Sequence, residues 1–227
     1  MTDCFLYGNC NHKDCGKPFC LRQYKISTLY KLAQVPESKW PHMTLMADPN
    51  GTDLDEFGRL AEIERNISSF VSEGKSLYLH SAYCGNGKTS WALRLLKSYI
   101  NDIWPKAPLE CVAMFVNVPK FLLDLKDEIG RGERDEKLDE IRLGIDNADL
   151  VVWDDVGTKP GSEYELNQLL SRIDKRAYAH KSNIFTTNLN PGQLEALLGP
   201  RLKSRICSAS EDIELHGADK RGLGVED

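Results

Sequence analysis

An α/β fold, three layers deep around a five-stranded and mostly parallel sheet, is what this sequence predicts, with a small cysteine-rich module ahead of it. Three observations predict it. Five short apolar runs alternate with segments of helical period, the pattern of βαβ units. Within those runs apolar residues are not interleaved with polar ones, as expected of strands covered on both faces. Four of the seven cysteines fall in the first 20 residues, a stretch too short to bury a core of its own.

The elements follow in chain order. Cys4, Cys10, Cys15 and Cys20 are separated by five, four and four residues. Four thiolates at tetrahedral geometry would hold Zn²⁺ and staple the head. His12 is an alternative ligand, and an unstructured tail is the competing expectation. Cys84, Cys111 and Cys207 are scattered and read as small buried or loop residues. Residues 22–36 place Ile26, Leu29, Leu32 and Ala33 at helical spacing and end at Pro36, a linker helix. Turn-rich residues 41–53 follow, then a helix over 54–71. Strands are expected at 77–80, 112–117, 150–153, 183–187 and, weakly, 212–215. Helices are expected around 89–100, 119–128, 133–145, 162–179 and 191–198. The domain layout is therefore a zinc-binding module over 1–25, a linker helix and connector over 26–45, and the main domain over 46–227.

Composition narrows the function classes. The 227 residues carry a formal net charge of −5, too acidic for a protein that coats nucleic acid by bulk electrostatics. The charge is uneven, with six basic against three acidic residues in the first 40, so the head is a candidate contact for phosphates or an acidic partner. No apolar run approaches the roughly 18 residues of a membrane helix. The first residues lack the basic and apolar regions of a signal peptide. No membrane role and a cytoplasmic location are expected, where cysteines stay reduced or bind metal.

The chemistry concentrates around residues 81–90, SAYCGNGKTS. A phosphate cradle needs backbone N–H groups turned inward, and glycine permits the positive φ this takes. Gly85, Asn86 and Gly87 form the cradle. Lys88 reaches the β- and γ-phosphates. Thr89 opens the next helix and offers a hydroxyl to Mg²⁺, with Ser90 beside it. Ala82 stands where the motif has its first glycine, which is tolerable if its φ is negative. The run LVVWDD (150–155) carries two carboxylates to a strand's C-terminal edge, where ligands bind in open α/β sheets. Asp154 would hold Mg²⁺ and Asp155 would orient or deprotonate an attacking water. A third strand ends in Thr187 and Asn188, polar groups within reach of a γ-phosphate. In GPRLKSRI (199–206), Arg201 and Arg205 share a helix face, and an arginine given to a neighbour's nucleotide would stabilise transferring charge.

These elements, in this order, resemble AAA+ ATPases, and more narrowly the DnaC/DnaI type of replicative helicase loader, the IstB/DnaC-like group. CGNGKTSWAL is similar to the Walker A loop, VVWDD to Walker B, FTTNL (185–189) to sensor 1 and LLGPRLKSRI (197–206) to the arginine-finger helix. LHGADKRG (215–222) resembles the sensor 2 segment. The resemblance implies a P-loop (ASCE/AAA+) sandwich that hydrolyses ATP with Mg²⁺. It implies Asn188 as sensor, Arg205 as the finger and Arg221 on the γ-phosphate of its own subunit. It further implies self-association through the ATP site, a hexameric replicative helicase bound through the zinc module, and delivery of that helicase to single-stranded DNA. The candidate strand contacts are helix 119–128 and the charged hairpin with Arg131 and Arg134. The short head would suit a phage-encoded member. Two readings stay open beside it: an IstB-like transposition helper on duplex DNA, and a zinc-dependent adaptor with a slow nucleotide switch.

Overall fold

The computed structural model describes residues 4–6, 20–41, 43, 45, 47, 50–158, 161–217 and 219. Five strands form one sheet: β1 (Ser76–His80), β2 (Ala113–Asn117), β3 (Leu150–Asp154), β4 (Ser182–Thr187) and β5 (Ser210–Glu214). Their order is β2-β3-β4-β1-β5. Every pairing is parallel, so the sheet is wholly rather than mostly parallel. The weakly expected β5 pairs with β1 along its full length, from Ser76↔Ser210 to His80↔Glu214.

The helices are α1 (Leu21–Leu32), α2 (Leu54–Arg65), α3 (Ile67–Ser72), α4 (Lys88–Ile103), α5 (Val118–Arg131), α6 (Glu136–Asn147), α7 (Glu163–Tyr178) and α8 (Pro191–Cys207). Successive strand residues point to opposite faces, and both faces are covered. Leu77, Leu79, Val152 and Ile184 pack in a core with residues of α1 to α4. Tyr78, Val151, Trp153 and Phe185 pack in a second core with residues of α5 to α8. This double cover is why the strands read as unbroken apolar runs.

Local chemistry sets the helix ends. Ser162 and Glu165 form a reciprocal capping box at α7, and Asn190 and Gln193 do the same at α8, each satisfying two otherwise orphaned N–H groups. Asn117 caps α5, which ends at Gly132 with φ 66°, the left-handed stop that glycine takes without strain. Three elements differ from expectation. The helix expected over 54–71 is split at Asn66, whose side-chain amide donates to Glu62 O at 3.1 Å and competes with the helical ladder. α8 runs further than expected but kinks at Gly199, φ 83°, ahead of Pro200. α1 stops at Leu32 rather than Pro36 because Gln34 turns to φ 58°.

α1 is packed against the sheet rather than standing apart. Ile26, Leu29 and Tyr30 are buried in the first core. Phe115 N donates to Ala33 O at 2.8 Å, which occupies part of the open edge of β2. Leu6 is buried in the same core, and the Phe5 ring lies tilted 5.9 Å from Tyr30 and edge-on 5.4 Å from Trp40. Of the four proposed zinc ligands, Cys10 and Cys15 lie outside the described residues, and Cys4 and Cys20 are free thiols. Among the described residues no three His, Cys, Asp or Glu side chains gather to hold a metal, and no helix is long and apolar enough to cross a membrane.

Candidate nucleotide site

Because β4 lies between β1 and β3, the loops leaving β1, β3 and β4 meet at one sheet edge. Their side chains converge on a cleft of roughly 430 Å³, lined among others by Gly85, Lys88, Thr89, Asp154, Asp155 and Asn188. That size falls within the range of small-ligand sites.

The loop after β1 turns through Gly85 at φ 76° and Gly87 at φ 104°. Gly87 is the N-cap of α4, so the helix N-terminus and the inward N–H groups face one spot and favour an anion there. Ala82 is not among the residues with positive φ, so the missing glycine leaves the turn intact. Asn86 is fully buried. Its amide donates to Ser81 Oγ and to Leu215 O, the latter at 3.1 Å, and its carbonyl accepts from Lys88 Nζ at 3.1 Å. Asn86 therefore braces the loop from beneath through its side chain. Lys88 Nζ also donates to Tyr83 O at 2.8 Å, which folds the ammonium along the loop it serves.

Asp154 ends β3 at 3% exposure. Its Oδ1 accepts from Thr89 Oγ1 at 2.8 Å and from Thr186 Oγ1 at 2.7 Å. Burial raises its pKa, the two threonine hydroxyls oppose that, and the neighbouring Asp155 adds to it. A buried carboxylate beside a helix-opening hydroxyl offers hard oxygen donors, and a cation there would relieve the cost of burying its charge. This is a donor set that fits Mg²⁺. Asp155 follows in the left-handed region at φ 58°. Its N–H donates to Thr186 Oγ1 at 3.0 Å, and its carbonyl accepts from Thr158 Oγ1 at 2.8 Å. The backbone is thus pinned on both sides while the side chain lines the cleft.

Sequence reasoning chose Thr187 and Asn188 at the end of β4. Asn188 lines the cleft, but Thr187 is buried and donates to Val156 O at 2.6 Å. Thr186 is the hydroxyl that touches Asp154, and strand parity from the buried Ile184 was the signal for it. Lys39 was also missed. It sits on a short 3₁₀ turn, Glu37–Lys39, and lines the cleft. Lys97 Nζ from α4 donates to Lys39 O at 2.6 Å and Pro41 O at 2.5 Å, which fixes that turn against the flank of the helix. Lys39 thus joins Ser90 and Leu93 of α4 among the lining residues. Lys39→Ala is expected to weaken ATP and ADP binding alike, by about 5-fold, the worth of one partly exposed charge contact. Titration with both nucleotides checks this, and a loss confined to ATP would place Lys39 at the γ-phosphate instead.

Among the described residues, Arg205, Arg131 and Arg134 do not line the cleft. Arg205 lies on α8, paired with Asp174. Arg221 lies outside the described residues. Arg131 and Arg134 of the charged hairpin pair with Asp135 and Asp139. Residues 126–140 hold seven carboxylates against four cations, a poor surface for nucleic-acid phosphates.

A family profile described as IstB-like ATP binding protein matches residues 63–220. The replicative helicase loader DnaI of Bacillus subtilis (strain 168) is 24% identical over 188 residues, 74% of this chain and 56% of its own length. The replicative helicase loader DnaC of Escherichia coli (strain K12) is 24% identical over 145 residues, 64% of this chain and 52% of its own. The chain thus spans about half the length of these curated relatives. Among solved structures, the crystal structure of DnaI matches with a TM-score of 0.59 at 24% identity, covering 80% of this chain and 94% of that one. The DnaC helicase loader gives 0.59 at 21% identity, covering 75% and 93%. Domain III of the Thermotoga maritima replication initiation protein DnaA gives 0.57 at 21%, covering 75% and 65%. These structural likenesses establish a shared fold.

Proposed function

The chain belongs to the IstB-like ATP binding protein family, and from that premise we propose that it is an ATPase that loads a replicative DNA helicase onto single-stranded DNA. One observation carries the ATPase half: Lys88, Thr89, Asp154, Asp155 and Asn188, drawn from three separate stretches of the chain, line a single cleft. The loader half is supported by the named relatives, DnaI and DnaC, both replicative helicase loaders.

In this reading the N–H groups of residues 85–88 and the Lys88 ammonium hold the phosphates. Thr89 and Asp154 would hold Mg²⁺, which would supply positive charge to offset that of the phosphates. Asp155 accepts a proton from, or orients, the attacking water, and Asn188 fixes that water's position. Arg205 completes the site of an adjacent copy, and Arg221 contacts the γ-phosphate within its own subunit. The cysteine-rich head, zinc-held through Cys4, Cys10, Cys15 and Cys20, docks on a hexameric helicase. Single-strand contact falls to α5, where Lys120, Leu123 and Lys126 recur on one exposed face, rather than to the acidic hairpin beyond it.

The test is size analysis of the chain with a replicative helicase, in ATP·Mg²⁺, in ADP, and with Lys88→Ala, repeated with single-stranded DNA present. A nucleotide-sensitive complex that is lost in the double variant Cys10→Ser, Cys15→Ser and that captures the DNA is expected. Losing the Lys88 contact should weaken nucleotide binding by about 10- to 100-fold, the range for a charge-assisted hydrogen bond. ATP-driven assembly on duplex DNA with no helicase complex would overturn the loader in favour of a transposition helper. Tight ATP binding with no turnover under any condition would favour a nucleotide-switched adaptor.

A further inference from the structure

We infer that Asp174 and Tyr178 are positioning residues that pre-orient the Arg205 guanidinium to meet the triphosphate of a nucleotide bound by a second copy of this chain. The inference rests on the ATPase reading above and deepens it.

The geometry begins at the kink in α8. Gly199, at φ 83°, and Pro200 start a new helical segment. Leu202 and Ile206 are buried and set its inner face. Arg201 and Arg205, four residues apart, therefore share a neighbouring outer stripe. Arg205 does not line the cleft of its own chain, so any phosphate it meets belongs to another molecule. Its Nε lies 2.5 Å from Asp174 Oδ1, and its guanidinium carbon lies 5.7 Å from the centre of the Tyr178 ring. Asp174 and Tyr178 are themselves one turn apart on α7, so the carboxylate meets the guanidinium as an ion pair, without an aligned hydrogen bond, while the aromatic ring sits against it.

This arrangement leaves the outer edge free. Among the described residues the two terminal nitrogens of Arg205 form no hydrogen bond, and 43% of the side chain is exposed. A guanidinium offers a flat fork of donors that matches phosphate oxygens two at a time. Charge attraction to Asp174 and the Tyr178 ring confine that fork before the partner arrives, so less freedom is lost on contact. Stability does not explain the pair, because a half-exposed ion pair contributes little to folding. Nor does burial explain Tyr178, which is 76% exposed. Arg201 has no comparable anchor among the described residues, which makes Arg205 the oriented member of the two.

The test compares steady-state turnover per subunit across protein concentrations for the full chain and five variants. Arg205→Ala is expected to lose at least about a thousand-fold, the scale of an arginine finger. Asp174→Ala is expected to assemble as the parent does and to lower kcat by about 10-fold with KM for ATP unchanged, because it removes orientation and not a substrate contact. Asp174→Glu, which keeps the charge, is expected to recover most of that loss. Tyr178→Ala, at a site too exposed to endanger folding, is expected to lower kcat by about 3-fold. Arg201→Ala should change it by less. If Asp174→Ala and Tyr178→Ala turn over as the parent does, or faster, while Arg205→Ala is inactive, the positioning inference falls and the finger stands. If Arg205→Ala itself turns over normally, the finger falls first and the positioning inference with it.

Discussion

Asp155→Asn is expected to bind ATP·Mg²⁺ as tightly as the parent chain and to turn it over at least about a hundred-fold more slowly, the lower end of what a positioned general base contributes. The choice of asparagine follows from the backbone. Asp155 sits at φ 58°, and asparagine, like aspartate, accepts this left-handed conformation at little strain. The bonds from Asp155 N to Thr186 Oγ1 and from Thr158 Oγ1 to Asp155 O involve only main-chain atoms of residue 155, so they survive the change. What is lost is one acceptor oxygen with its charge, facing the cleft. Asp154→Asn makes the contrast, because it removes the buried carboxylate bonded to Thr89 and Thr186 and should weaken Mg²⁺-dependent binding itself. Equilibrium binding and single-turnover hydrolysis, measured on both variants, separate the two roles. Normal turnover in Asp155→Asn would reduce Asp155 to a residue that shapes the loop after β3.

The site was legible where its chemistry is local. A cradle, a lysine and a hydroxyl must be contiguous to fold around phosphates, so Gly85 to Thr89 announce themselves along the chain. Asp154 and Asp155 do so because an apolar strand carries them to an edge. What stayed hidden depends on how distant segments meet. Thr186 and Thr187 are equivalent in sequence, and only strand parity decides which faces Asp154. Lys39 lies 49 residues before Lys88 and reaches the cleft because Lys97, nine residues into the same helix, binds its carbonyl. Asp174 carries no motif at all and gains meaning only from the kink that turns Arg205 toward it.

The fold shows the same division. The alternation of runs and helical segments was enough to predict a parallel sheet, and the break at Asn66 was not, because one asparagine side chain bonding Glu62 O overrides an otherwise continuous helical period. The charged stretch 126–140 also divides this way. Its arginines read as candidates for phosphate contact, yet each finds a carboxylate within its own hairpin, and Arg142 adds Glu128 and Asp139. Charge counted along the chain says little about charge left unpaired on a surface.

Arg176 gives the largest effect expected on stability, and nothing in its local sequence marks it. It is 1% exposed on α7. Nε donates to Asn183 Oδ1 at 2.7 Å, Nη1 to Ile145 O and Ala148 O at 2.7 Å each, and Nη2 to Ser182 O at 2.6 Å and Asp149 O at 3.2 Å. Ile145 and Ala148 end α6, so Arg176 satisfies carbonyls that the helix itself leaves orphaned. The other three acceptors join the starts of β3 and β4, and Asn183 Oδ1 also accepts from Trp153 Nε1 at 3.0 Å. Burial pushes the guanidinium down to about 10, still far enough above neutrality to keep it charged. Arg176→Met fits the space but takes a donor from five buried acceptors, of which Asn183 Oδ1 keeps Trp153 Nε1 and Asp149 O keeps Ser182 N, and about 3–5 kcal/mol of stability should go with the change. Against a total of about 5–15 kcal/mol for a domain, urea unfolding should show a midpoint sharply lowered with its slope unchanged. Arg176→Lys should recover little, since one ammonium cannot span five acceptors spread over a planar fork. The knot ties the opposite end of the strands from Asp154 and Asn188, so the fraction of Arg176→Met that remains folded should bind ATP normally. A loss below about 1 kcal/mol would mean that water replaces the guanidinium at those acceptors, and a loss of ATP affinity in the folded fraction would mean that the two ends of the sheet are coupled through β3 and β4.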